Sequence, residues 1–162
     1  RVSKSSLRMA AIGEVDEANS ALGVALTLVG DEAHARRLRA IQNELFDLGA
    51  DVATPGEVEG ALRITAGQVQ RLEAEIDAMN ADLDPLTSFI LPGGSPAAAA
   101  IHLARAVTRR AERAAVALHE REPVNPHLLA YLNRLSDHLF VTARHIARGS
   151  GGDILWQPGA TR

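Results

Sequence analysis

Apolar residues recur at three- and four-residue steps through most of this chain, and that spacing restricts it to helices packed side by side. Leu7, Ala11, Val15, Ala18, Leu22, Leu26 and Val29 lie on one stripe, which predicts a first helix ending near Gly30. Asp31 is placed to cap a second, whose stripe of Leu38, Ile41, Leu45, Leu48 and Val52 runs to Thr54-Pro55-Gly56. Pro55 to Thr65 has two glycines and little periodicity, so it reads as a loop; Thr65 then caps a third helix carrying Val69, Leu72, Ile76 and Met79. Ser95-Pro96 and Asn125-Pro126 each pair a capping side chain with a proline suited to the first helical position. They open a fourth helix reaching about Arg121 and a fifth with Leu128, Leu129, Leu132, Leu135, Leu139 and Ile146 inward, stopped by Gly149 to Gly152. No strand-type alternation of useful length is present. The fold class is all-α, a five-helix bundle in one domain spanning residues 1–162, with Asp153 to Arg162 as a tail anchored through Trp156.

At 162 residues the chain is long enough for a sizeable core, yet only 3% of it is aromatic. Ala, Leu, Val and Ile must fill the interior, and they suit close helix packing. A net charge of −3, with both signs interspersed, argues against general nucleic-acid affinity. The absence of cysteine removes disulfides and thiolate chemistry. No apolar run approaches the ~20 residues of a membrane span, and the first residues lack a signal-peptide core, so the expectation is a soluble, cytoplasmic protein.

Chemistry concentrates on the fourth helix. At about 100° per residue, Arg105, Arg109, Glu112 and Arg113 share one quadrant, while Leu103, Val107, Ala111, Ala114 and Leu118 line the opposite side. With Arg110 there are four guanidiniums in nine residues, and Glu112, placed to brace Arg109 at i,i+3, cannot neutralise them all. An anionic partner fits this face; a solvated arginine surface is the alternative. On the fifth helix Asn133, Asp137 and Arg144 form a stripe away from the leucines, with Arg134 beside it and Ser136 near the core boundary. Amide, carboxylate, hydroxyl and guanidinium together make a versatile polar ligand set, although caps and solvated side chains would look the same. The long connection from Asp82 to Ser95 holds Phe89 and Leu91-Pro92-Gly93-Gly94-Ser95-Pro96, which leads into a helix N-terminus able to receive an anion. By itself Phe89 reads as core packing, and His102, on the arginine face, as a surface histidine. Lys4 and Arg8 form a small cationic pair near the start. There is no phosphate-loop or dinucleotide-turn motif, and the six histidines lack the E-x-x-H spacing of a di-metal bundle.

Taken together, several segments resemble the PduO-type ATP:cob(I)alamin adenosyltransferases. They are Arg1 with Lys4, Val15-Asp16-Glu17-Ala18-Asn19-Ser20, Phe89-Ile90-Leu91-Pro92-Gly93-Gly94, Arg105 with Arg109-Arg110-Ala111-Glu112-Arg113, Tyr131 to Phe140, and Leu155-Trp156. They span essentially the whole chain in the family's order. The family's glycine- and threonine-rich ATP segment, which normally precedes these motifs, is not among these residues. The resemblance implies a homotrimer with sites between subunits, and transfer of the 5′-deoxyadenosyl group of ATP to cobalt, with Mg²⁺ and release of triphosphate. It implies phosphate contacts from Arg109 and Arg113, orientation by Glu112, and nucleotide or corrin contacts from Lys4, Asn133, Ser136 and Asp137. It further implies an intersubunit Asp16–Arg105 pair and a Phe89 that displaces the lower axial ligand of cobalamin. Implied partners are ATP and cob(II)/cob(I)alamin, with an electron-donor flavoprotein and an adenosylcobalamin-dependent client enzyme beyond them; no metal ligand from the protein is expected. A cobalamin carrier on the same fold, or a non-catalytic anion-binding bundle, are the competing functions.

Overall fold

The computed structural model describes residues 3–162; Arg1, one of the family-like positions, lies outside them. Five helices follow in order, α1 (Leu7–Leu26), α2 (Glu32–Ala53), α3 (Ala66–Asn80), α4 (Pro96–His119) and α5 (Pro126–Arg148). Their starts follow from capping chemistry. Ser6, Asp31, Ser95 and Asn125 each accept a hydrogen bond from a backbone N–H of the first turn, with Pro96 and Pro126 directly after the last two. At Thr65 the Gln68 side chain accepts from the backbone N–H instead, at 2.9 Å. Helix α1 ends at Leu26 rather than near Gly30, and α4 at His119 rather than Arg121.

Helix α1 packs on α2 and α4, α4 on α5, and α2 more lightly on α5, closing a ring of four; α3 lies outside, against α5. Leu22, Leu38, Ile41, Leu48, Ile101, Leu118, Leu132 and Leu135 are buried in the middle of the ring. On α4 the inward arc is rotated from the expected one, toward Ala104, Ala111 and Ala115, and Leu103 is 60% exposed. Small side chains there let α1 come close, so the helix turns its alanines rather than its leucine to its neighbour.

Buried polar groups fasten the ends. Asp51, at the end of α2, accepts from Arg63 Nη1 (2.7 Å), Ile64 N (2.9 Å) and Asn125 Nδ2 (2.7 Å), which locks the α2–α3 loop to the α5 cap. Arg8 is buried, donating to the Val52 carbonyl and to Glu122 (2.7 Å), so it is a structural tie and not a cationic partner for Lys4. Outside the ring, Arg71 of α3 pairs with Glu44 (2.5 Å) and Glu75 (2.6 Å). Glu44 also accepts from Tyr131, and Glu75 bonds His138. Although burial opposes it, these bonds raise the Arg71 pKa.

Strand-like pairing occurs in one place among the described residues, an antiparallel bridge between Ile90 and Leu155. It pins the tail to the α3–α4 connection. Gly94, at φ 94°, makes the left-handed turn that brings that connection into α4.

Candidate active site

Helices α4 and α5 and the α3–α4 connection enclose a cleft of about 650 Å³. Leu86, Phe89, Ile90 and Phe140 supply its apolar lining, and Arg105, Arg109, Ser136 and Asp137 its polar groups. A second hollow of about 390 Å³ continues along α4, between Arg109, Glu112, Arg113 and Glu120. Arg109 borders both. The sequence therefore places a mostly apolar space and a trough bearing two arginines and two glutamates end to end, with Arg109 at the junction.

The arginines of α4 divide by direction. Arg110, some 140° around the helix from Arg105 by the same ~100° step, faces α1 and is neutralised by Glu14 (2.5 Å) and Glu17. This corrects the expectation of four uncompensated cations, because carboxylates distant in sequence meet Arg110 across the helix pair. These two carboxylates hold the Arg110 pKa above its ordinary value. Among the described residues, no carboxylate lies within ion-pair distance of Arg105, Arg109 or Arg113. Burial and then the neighbouring Arg109 lower the Arg105 pKa, with Asp137 opposing, as expected of a cation lacking its counter-charge. Its guanidinium lies over the Phe140 ring, 5.4 Å from the centroid.

Glu112 does not brace Arg109. Its carboxylate accepts from Asn133 Nδ2 at 2.9 Å, because α5 lies alongside and offers an amide. Arg113 Nη1 instead donates to the Arg109 carbonyl at 3.0 Å. Asp137 is held by Arg134 at 2.8 Å, and Ser136 Oγ donates to the Asn133 carbonyl at 3.0 Å. Lys4 is exposed ahead of α1 and lines neither hollow. Asp16 is exposed on α1, beside an apolar groove containing Phe46; it makes no pair with Arg105 within the chain.

Three residues behave unlike their sequence pattern. Phe89 is 77% exposed, so core packing does not account for it. His102 is buried beside the cleft, its Nδ1 without a partner among the described residues, and burial followed by Arg105 lowers its pKa. Arg144 is buried beneath the returning tail and does not share an open stripe with Asn133. Two further features gave no periodic signal. Phe140 supports Arg105 from below, and Trp156 meets Phe89 edge-on at 5.9 Å.

Fold and site thus define a helical-bundle protein whose arginine-bearing α4 face joins a charged trough to a mostly apolar cleft, suited to a ligand pair of which one is polyanionic. A family model described as cobalamin adenosyltransferase matches residues 1–146, and the chain belongs to that family. It is 46% identical over 168 residues to a corrinoid adenosyltransferase of Mycobacterium tuberculosis, covering 100% of this chain and 86% of the relative. A corrinoid adenosyltransferase of Bacillus subtilis is 44% identical, with coverage of 99% and 85%. Among solved structures, a phenylalanine-to-alanine variant of the PduO-type ATP:corrinoid adenosyltransferase from Lactobacillus reuteri, complexed with cobalamin and ATP, superposes with a TM-score of 0.88. It is 37% identical and covers 96% of this chain and 89% of its own. An arginine-to-lysine variant of that enzyme complexed with ATP gives a TM-score of 0.90.

Proposed function

We infer that this chain transfers the 5′-deoxyadenosyl group of ATP to the cobalt of cob(I)alamin. The observation that carries this is Arg109 at the junction of the two hollows, where a triphosphate in the trough would place the nucleoside against a corrin in the cleft. The named activities of the relatives, and the cobalamin and ATP bound in the neighbouring structure, support the same reading.

In the reaction the cobalt(I) electron pair attacks C5′, the C5′–O bond breaks, and its electrons leave on triphosphate. Cobalt(I) is itself the nucleophile, so no general base is needed. The protein's tasks are alignment and stabilisation of the leaving anion, for which fixed guanidinium forks are suited. Arg109 and Arg113 hold phosphate oxygens. Asn133 and Glu112, bonded to each other, fix the trough's rim toward the nucleotide, and Lys4 adds charge where the chain enters. Ser136 and Asp137 contact the corrin edge, and Phe89 faces its lower side.

Mg²⁺ fits best as part of the nucleotide. Glu112 is already taken by Asn133, and the described residues contain no cluster of three or more His, Cys, Asp or Glu suited to a metal. The ion would be held by phosphate oxygens and water. Asp16, unpaired with Arg105 in its own chain, is free to meet the Arg105 of a neighbour, which completes the site in a homotrimer. An electron-donating flavoprotein and an adenosylcobalamin-dependent client enzyme complete the expected cytoplasmic setting. Among the described residues no helix is long and apolar enough to cross a membrane.

The test is ATP-dependent formation of a cobalt–carbon bond, followed through corrin absorbance under reducing conditions. Corrin binding without ATP-dependent alkylation would refute the transfer and leave a carrier. Binding of neither ligand would leave a structural bundle.

A further inference from the structure

Phe89 is mostly exposed, so its own packing does little to place it; its position is set by the backbone that bears it. That backbone is held by the tail. Leu91 N donates to the Ile154 carbonyl at 2.7 Å, Trp156 N to the Phe89 carbonyl at 2.8 Å, and Ser88 Oγ to the Trp156 carbonyl at 3.1 Å. The tail in turn is fixed by one side chain of α5. Arg144 Nε donates to Asp153 Oδ2 at 2.8 Å, and its Nη2 to the Asp84 carbonyl at 2.9 Å. The guanidinium therefore grips the root of the Phe89 connection and the root of the tail that clasps it. With side-chain exposures of 10% and 16%, Arg144 and Asp153 form a pair shielded from water, where it is strong and directional. Arg144 lines neither the corrin cleft nor the phosphate trough.

We propose that Arg144 is a positioning residue for cobalamin activation, holding Phe89 at the cleft through Asp153, Asp84 and the clasped tail. This rests on the role given to Phe89 under Proposed function. The guanidinium geometry matters, because two acceptors on different segments must be met at once by one planar fork. A lysine keeps the charge and loses the second bond.

Asp153→Ala and Arg144→Lys in the full chain test this, the first altering the tail without opening the core. Trp156 is the chain's sole tryptophan, so acrylamide quenching of its emission reports the clasp with no ligand present. Quenching rises in both variants and melting temperature falls by a few degrees, because a shielded charge loses a partner, while ATP affinity, measured calorimetrically, stays at the wild-type value. With ATP and cob(II)alamin, the four-coordinate electron paramagnetic resonance signal falls about tenfold, the scale of one lost charge-assisted hydrogen bond. Unchanged quenching and signal in Asp153→Ala would overturn the proposal, as would a signal loss matched by a fall in ATP affinity. If the wild type itself shows no four-coordinate signal, the role of Phe89 fails, and quenching alone still decides whether Arg144 holds the clasp.

Discussion

Replacing Phe89 with alanine separates packing from function in magnitude. A fully buried phenylalanine covers about 150–250 Å², and Phe89 is 77% exposed, so the fold loses roughly 50 Å² of contact, or ~1 kcal/mol at ~25 cal/mol per Å². The edge contact with Trp156 adds ~0.5–1.5 kcal/mol. A core phenylalanine would cost ~3–5 kcal/mol. At ~2–4 °C per kcal/mol for a chain of this size, the melting temperature falls by only about 3–10 °C. The exposed three quarters, roughly 150 Å², is available to the lower face of a corrin. Its burial there contributes at most ~4 kcal/mol, about a thousandfold, and costs of ordering bring the expected effect nearer a hundredfold. An apolar ring has no lone pair for cobalt and excludes water, so its loss readmits an axial ligand and makes Co(II) harder to reduce. Thermal unfolding gives the first quantity; electron paramagnetic resonance of cob(II)alamin with ATP gives the second. A full four-coordinate signal in Phe89→Ala, or a fall in melting temperature far beyond 10 °C, would refute the reasoning.

Arg109→Ala loses ~1.5–3 kcal/mol of ATP binding, about ten- to a hundredfold or more by calorimetry, whereas Arg110→Ala, already neutralised on the α1 side, loses much less. Equal losses would show that the trough is not the phosphate site. Light scattering at micromolar concentration is expected to report a trimer, weakened by Asp16→Asn; a monomeric wild type would remove the Asp16–Arg105 pair. Burial lowers the pKa values of His34 and His102, with His145 adding to the first and Arg105 to the second while Asp31 and Asp153 oppose. Below the ordinary value of about 6.5 the unfolded chain therefore binds more protons than the folded one, and stability present above that pH is lost as pH falls. The urea midpoint drops between pH ~7.5 and ~5.5, and His34→Gln flattens the slope; a midpoint that rises on acidification contradicts this.

Helix number, order and starts were legible because caps and apolar steps are local in sequence. The arginine face of α4 was legible for the same reason, since Arg105, Arg109 and Arg113 recur within one helix. What lay hidden depends on pairs distant along the chain. Nothing near Arg110 announces that Glu14 and Glu17 will meet it, and nothing near Arg144 announces that Asp153 will fold back over it. Leu103 was assigned inward because periodicity locates an apolar arc without saying which part a neighbour covers; alanines allowed the closer approach. His102 looked superficial on the arginine side, yet the start of α4 is buried where the cleft wall passes over it.

The placement of α3 has a consequence for how the molecule breathes. Its backbone packs on α5 alone, and its reach to α2 is the polar Arg71–Glu44 pair. A helix attached on one side, with a charged fastening, opens at lower free energy than the ring of four. Amide hydrogens of 66–80 should therefore exchange before those of α1 or α4. The segment bearing Phe89 follows from the end of α3, but its far part is fastened to the tail, and both are tied to Arg144 of α5. The outer helix and the ring thus differ in stability, and the Arg144 tie is what keeps an opening of α3 from reaching Phe89.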